Sequence, residues 1–253
     1  MPTLNHKVYG EGKPLIILHG LFGSLDNWVT LGKKFGEDFK VFLVDQRNHG
    51  QSFHDATFSY EAMSEDLCQF MGEMSINSAH LIGHSMGGKT VMEFARKYPE
   101  KVDKLVVADI GPKSYPVHHT AIIKAFYSVP INTLKSRKEA DEILSTQIED
   151  FGIRQFLLKN LARTENGFKW KMNLDVIATQ IEEVGKGLNQ NATFKKESLF
   201  IRGGKSDYIL DGDVNLIHSI FPNSKIATVE GAGHWLHAEK PMDFYQQVRN
   251  FLL

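Results

Sequence analysis

The sequence predicts an α/β domain in which a mostly parallel central sheet is flanked by helices and interrupted by one inserted helical cap. Three observations predict it. Short apolar runs at residues 15–18, 41–44, 81–82, 105–108, 199–201 and 226–229 lack polar alternation, as strands covered on both faces do. Amphipathic stretches at 60–74, 86–98 and 244–252 repeat their apolar residues every third or fourth position. The alternation stops between about 111 and 194, where helical patterns at 122–129, 138–148, 151–161 and 174–184 replace strand runs. The expected division is therefore a core of residues 1–110 and 195–253 with a cap of 111–194.

Composition narrows the function. With 29 basic and 30 acidic residues among 253, and a pI near 6.8, the chain has no bulk field for nucleic acid or an anionic membrane. A small or neutral ligand fits better. Cys68 is the single cysteine, in a helical pattern, so no internal disulfide is available. The start, Met1-Pro2-Thr3-Leu4-Asn5-His6-Lys7, has no apolar leader, and no stretch approaches the roughly 18 apolar residues of a membrane span. The expectation is a soluble cytoplasmic protein.

Taken in order, the strand ends carry the chemistry. Residues 15–18 run into His19-Gly20-Leu21-Phe22-Gly23, a glycine-rich loop in which a backbone N–H can approach a substrate oxygen. The next strand closes on Asp45-Gln46-Arg47-Asn48-His49-Gly50, whose charges are expected to brace neighbouring loops. The third enters Gly83-His84-Ser85-Met86-Gly87, a Gly-x-Ser-x-Gly turn between a strand and a helix, with Ser85 as candidate nucleophile. A serine hydroxyl is a weak nucleophile and needs a base for its proton and donors for the charge it creates. The donors are expected to be the N–H groups of Met86 and Leu21, with Phe22 as the alternative to Leu21.

The base is expected to be His234, in a glycine-rich loop after the last strand, at the carboxyl edge where open α/β sheets place their sites. His84 and His19 are assigned to bracing the elbow and the oxyanion loop, and His237 to a helix start. Two aspartates satisfy the chain order Ser, Asp, His: Asp109, ending the strand at 105–108, and Asp207, after the strand at 199–201. Asp175, within the cap, is a distant third. Aromatic residues exceed what a solvated linker needs, and Phe22, Phe126, Phe156 and Trp235 are the candidate substrate-binding residues.

With these motifs in this order the chain resembles the α/β-hydrolase superfamily over nearly its whole length. Within it, His19-Gly20-Leu21-Phe22-Gly23-Ser24, Arg47-Asn48-His49-Gly50, Gly83-His84-Ser85-Met86-Gly87-Gly88-Lys89 and Gly233-His234-Trp235 with Ala238-Glu239-Lys240-Pro241 look like the bacterial YbfF-type esterases. Asn48 departs from the wider superfamily, which usually has glycine there. The resemblance implies the α/β-hydrolase fold and a serine carboxylesterase for short or medium acyl chains, with acyl-CoA thioesters as additional substrates. It favours Asp109 as the acid, although this chain offers Asp207 too.

No metal or organic cofactor is expected, and the partner is a small-molecule ester or thioester rather than nucleic acid or membrane. A C–C bond hydrolase or a haloperoxidase-like activity on the same three residues is the alternative. Dehalogenase and epoxide hydrolase chemistry needs a carboxylate where this chain has Ser85. A non-catalytic binding module would leave Ser85 and His234 without a task.

Overall fold

In the computed structural model, which describes residues 3–117, 119–189 and 192–253, strand and helix alternate up to residue 108 and again after 197. The first half runs β1 (His6–Tyr9), β2 (Pro14–Leu18), α1 (Val29–Phe35), β3 (Lys40–Val44), α2 (Tyr60–Glu73), β4 (Ala79–His84), α3 (Met86–Lys97) and β5 (Val102–Ala108). An inserted segment follows, with α4 (Thr120–Ser128), α5 (Arg137–Ser145), α6 (Phe151–Leu158), β6 (Leu161–Thr164), β7 (Gly167–Trp170), α7 (Leu174–Thr179) and α8 (Ile181–Gly185). The chain then returns through β8 (Ser198–Gly203), α9 (Val214–Ile220), β9 (Ser224–Val229), α10 (Leu236–Glu239) and α11 (Pro241–Leu252). The seven-stranded sheet has the order β1-β3-β2-β4-β5-β8-β9, parallel throughout except for β1 against β3. This is the α/β-hydrolase fold that the sequence predicted.

The six apolar runs are the six parallel strands; β2, β3, β4, β5 and β8 are covered on both faces, whereas β9, at the edge of the sheet, is mostly half-buried. Along β2, Ile16 and Leu18 join α2 and α3 residues such as Phe70 and Phe94, while Leu15 and Ile17 join Phe35 of α1 and Phe244 of α11. Alternating Cβ directions thus feed two apolar layers from one strand. Burying each such side chain contributes about 1.5–3 kcal/mol. Among the described residues no helix is long and apolar enough to cross a membrane.

The inserted segment differs from the sequence expectation in two ways. A two-stranded hairpin, β6 with β7, stands where only helical pieces were expected, and the helix expected over 151–161 stops at Leu158. The hairpin is closed by Glu165-Asn166, with Gly167 at φ +136, and its strands are four residues long and half-exposed, too short to produce a run. The helix expected over 174–184 is two, α7 and α8, broken at Gln180. Gln180 Oε1 instead accepts the Phe58 N–H across the boundary with the core at 3.0 Å.

The loops at the carboxyl edge are held by buried polar groups. The Asp45 carboxylate accepts the Leu25 N–H at 2.7 Å, the Gln51 N–H at 2.9 Å and the Asn5 amide at 2.7 Å. Gly50 (φ +58) passes so close that a Cβ would overlap this carboxylate. Arg47 grips Asp66 with two nitrogens and donates to the Thr57 carbonyl, so both charges brace loops as expected. Asn48, where glycine is usual, has φ 63, and its carbonyl accepts the Asn173 N–H of the inserted segment at 2.9 Å. Asparagine tolerates this left-handed backbone better than most residues.

Two buried imidazoles complete the bracing, with tautomers set by their partners. His19 Nε2 accepts the Gln46 N–H at 3.1 Å, so its Nδ1–H donates to the Gly20 carbonyl at 2.8 Å. His49 Nε2 accepts the Phe22 N–H at 3.2 Å, so its Nδ1–H donates to the Arg47 carbonyl. Burial holds both neutral, pushing His19 down to about 4 and His49 to about 3. Burial does the same to His237, at about 3, stacked on Trp28 at 4.2 Å.

Free imidazoles protonate near 6.5, so on acidification the unfolded chain takes up these protons first. Their contribution to stability is complete above about pH 6.5 and is lost as the pH falls towards 4. The thermal midpoint is expected to fall steeply between pH 6.5 and 4.5, each histidine supplying up to about 1.4 kcal/mol per pH unit. A midpoint level across that window, measured by calorimetry, contradicts the neutral buried assignment.

Candidate active site

Ser85 stands between the last residue of β4 and the first of α3, with φ 52 and ψ −116. A left-handed conformation costs a non-glycine residue of order 1–3 kcal/mol and persists only where surroundings enforce it. Here close backbone approach enforces it: a Cβ at Gly83 would overlap the Gly87 carbonyl, and one at Gly87 would sit 2.6 Å from the His19 carbonyl oxygen. The Ser85 N–H donates to the Ala108 carbonyl at 3.0 Å. Although Ser85 is the N-cap of α3, its hydroxyl makes no capping bond. It meets His234 instead.

His234 Nε2 lies 3.0 Å from Ser85 Oγ, and His234 Nδ1 lies 2.8 Å from Asp109 Oδ2. The carboxylate accepts a hydrogen bond from Nδ1–H, leaving Nε2 to accept from the serine. Asp109 is fully buried and, like Ser85, left-handed, at φ 51. Its Oδ1 accepts the Gly203 N–H at 2.9 Å and its Oδ2 also accepts the Ser206 hydroxyl, so the buried charge is hydrogen-bonded from three sides. The loop bearing His234 is tied by Glu239, which accepts the Gly233 N–H at 2.8 Å and the Trp235 N–H at 3.3 Å.

The alternative acid Asp207 is not brought to His234. The turn after β8, closed by Ser206 N–H to the Gly203 carbonyl and by Lys205 N–H to the Ala232 carbonyl, points Ser206 at Asp109 and leaves Asp207 exposed. Asp175 accepts the Tyr127 hydroxyl within the inserted segment. His84 braces the base rather than the elbow, its Nε2–H donating to the His234 carbonyl at 2.8 Å. No local motif marks Tyr208, whose ring stacks on His234 at 3.9 Å and 17°. Ser206 does carry a signal in the sequence, since it adjoins the candidate acid Asp207.

For the developing oxyanion, Met86 opens α3, so its N–H has no intrahelical acceptor. The Leu21 N–H, among the described residues, donates to no acceptor within the chain. Phe22 is removed as the alternative because its N–H is spent on His49. Its carbonyl accepts the Asn160 amide at 2.6 Å, fixing the loop against the inserted segment.

Ser85 opens onto a cavity of about 240 Å³ whose walls include Leu21, Phe22, Phe156, Tyr208 and Trp235. This lies below the roughly 300–1,000 Å³ typical of drug-sized ligands, so the space beside the serine suits a small group. The Phe156 and Trp235 rings, 5.8 Å apart, also border a second cavity of about 500 Å³. Phe126 does not reach the serine. It is fully buried behind Phe22, 5.3 Å ring to ring, and borders a separate groove with Trp170 and Met172. Its apolar character is used in packing the inserted segment onto the core.

Residues 13–241 match the family model described as alpha/beta hydrolase fold. The chain is 40% identical over 246 residues to a mouse (Mus musculus) protein described as the sn-1-specific diacylglycerol lipase ABHD11, covering 94% of this chain and 80% of that one. It is 36% identical over 243 residues to esterase YbfF of Escherichia coli strain K12, covering 96% and 94%. A solved structure described as a marine microorganism esterase superposes with a TM-score of 0.97 at 44% identity, over 99% of this chain and 100% of that one. This chain belongs to the alpha/beta hydrolase fold family.

Proposed function

We propose that this protein is a serine carboxylesterase acting on short- to medium-chain acyl esters, with acyl-CoA thioesters as additional substrates. The observation that carries the reading is the unbroken hydrogen-bonded series Ser85–His234–Asp109 at the mouth of the 240 Å³ cavity. Similarity to proteins described as esterases and a lipase supports the coarser statement, a hydrolase acting on esters. Residues 111–194 act in this reading as a cap that shapes the acyl site, and the protein works in the cytoplasm.

The chemistry follows from the geometry. Ser85 Oγ attacks the ester carbonyl as His234 Nε2 takes its proton, and Asp109 stabilises the imidazolium. The carbonyl oxygen becomes an oxyanion held by the N–H groups of Leu21 and Met86, already oriented by the loop and the helix start. Collapse expels the alcohol with the proton from His234, leaving an acyl-serine. Water, deprotonated by the same imidazole, attacks the acyl carbon and releases acid and free Ser85.

A second substrate class is favoured by one observation. The 500 Å³ cavity beyond Phe156 and Trp235, lined by apolar and polar residues alike, offers room for a second substrate arm next to the serine site, in keeping with the diacylglycerol lipase among the relatives. Glycerolipid esters are that class. C–C bond hydrolysis and haloperoxidase-like chemistry use the same residues and are read out by substrate.

A fluorophosphonate is expected to label Ser85, and Ser85→Ala is expected to abolish hydrolysis of p-nitrophenyl butyrate. Labelling without turnover of any ester, thioester or glycerolipid sinks the reading, and turnover of a diketone instead selects the C–C alternative. Asp109→Asn is expected to lower kcat by about 10⁴-fold, while Asp207→Asn stays within about twofold. Ser206→Ala removes one bond from the Asp109 carboxylate and is expected to lower kcat by about tenfold, the equivalent of about 1.4 kcal/mol.

A further inference from the structure

Lys89 closes the Gly-His-Ser-Met-Gly-Gly-Lys segment, and the mechanism above does not use it. It sits one turn along α3 from the serine, its N–H donating to the Ser85 carbonyl at 3.0 Å, and its side chain is fully buried. Its ammonium donates to two backbone carbonyls, Lys113 and Lys186, at 2.5 Å each, and lies 5.1 Å from the Tyr115 ring and 5.9 Å from that of Tyr60. Burial pushes it down to about 7, and among the described residues no carboxylate is paired with it to offset the desolvation. A buried ammonium is costly, so its partners are informative.

Those partners are the two places where the chain enters and leaves the inserted segment. Lys113 follows β5 and Lys186 follows α8. The two legs are also paired with each other, through Tyr115 N–H to the Gly185 carbonyl, Leu188 N–H to the Pro112 carbonyl, and Gly187 N–H to the Ser114 hydroxyl. Lys89 therefore fastens a two-legged stalk to the helix that begins at the nucleophile.

Ser85 has two flanks. One is the 240 Å³ cavity, and the other is a crevice under the stalk with room for only about 20 Å³, bordered by Met86, Tyr115, Val117, Val184 and Tyr208. We propose that Lys89 is a positioning residue that, by fastening both legs of the cap to α3, keeps the second flank of Ser85 closed and so restricts the enzyme to esters with unbranched acyl groups. An acyl carbon carrying three substituents must occupy both sides of the attacked carbonyl, and the stalk denies it one of them. The inference rests on Ser85 being the nucleophile.

The test compares p-nitrophenyl butyrate with p-nitrophenyl pivalate. Lys89→Met keeps an unbranched apolar stem of nearly the same reach and removes the ammonium with both of its hydrogen bonds. It is expected to raise the pivalate-to-butyrate ratio of kcat/KM by about tenfold, mostly through KM for pivalate, while kcat on butyrate stays within about threefold. Hydrogen exchange at the Tyr115 and Leu188 amides is expected to accelerate in the same variant, with the β4 and β5 amides unchanged. Val117→Ala widens the crevice without touching Lys89 and is expected to move the ratio the same way. An unchanged ratio in Val117→Ala overturns the proposal, even should Lys89→Met fail to fold. So does an unchanged ratio in a folded Lys89→Met, or an equal loss on both esters. If neither ester turns over, the rates at which a diethyl and a diisopropyl fluorophosphate label Ser85 read the same flank. The two failures are then distinguishable: absent turnover counts against the esterase reading, and an unaltered labelling ratio in both variants counts against the role of Lys89.

Discussion

A backbone approach between β4 and α3, too close for any Cβ at Gly83, holds Ser85 in a left-handed conformation at the carboxyl edge of the sheet. Several features depend on it. The turn places the serine hydroxyl outside the helix instead of on its N-terminal amides, and it leaves the Met86 N–H without an intrahelical acceptor. It also presents the Ser85 N–H to the Ala108 carbonyl on the neighbouring strand, so the elbow is registered against β5. A larger residue at Gly83 or Gly87 would therefore disturb nucleophile, oxyanion donor and acid together, since Asp109 directly follows β5.

The acid repeats the device one strand further on. Asp109 is left-handed too, and its N–H bonds the Ile201 carbonyl of β8 as that of Ser85 bonds β5. Adjacent parallel strands thus end in the same manner, which sets both functional side chains at one level of the sheet. His234 arrives from the loop after β9 and is held from all sides: Asp109 on Nδ1, Ser85 on Nε2, the Tyr208 ring on its face and His84 on its carbonyl. Fixing an imidazole in this way removes the rotamer freedom that proton transfer would otherwise have to overcome.

How much of this was legible follows from burial. The five two-face-buried strands, and the longer edge strand β9, announce themselves as apolar runs, whereas β1, β6 and β7 are four residues long and half-exposed, so they lack both length and contrast. Ser85 and His234 are written in local motifs whose spacing has a mechanical cause. The choice between Asp109 and Asp207 is not, because both follow strands and only the turn at 203–206 decides which carboxylate faces inward. Phe126 illustrates a further limit: aromatic character marks a residue for burial but does not say whether a ligand or a neighbouring helix supplies the contact. Tyr208 and Lys89 act through contacts of long sequence separation, which no local pattern encodes.

In the proposed reading the chemistry draws on the core alone, whereas selectivity draws on the core and the inserted segment together. The proposed reacting groups all come from the carboxyl edge of the sheet, where backbone geometry holds them. The walls of the cavity at Ser85 come from both parts, Phe22, Tyr208 and Trp235 from the core and Ile122, Ile153, Phe156 and Leu157 from the inserted segment, whose ties to the core include Asn173 to Asn48, Asn160 to Phe22, Val184 to Tyr60, and the ammonium of Lys89 under both legs. Each tie is a hydrogen bond across a boundary that apolar contacts also cover, so each one fixes direction where the apolar contacts supply mainly adhesion. Substitutions along this boundary should then alter which ester is accepted without altering how it is cleaved, because none of these ties passes its bond through Ser85, His234 or Asp109.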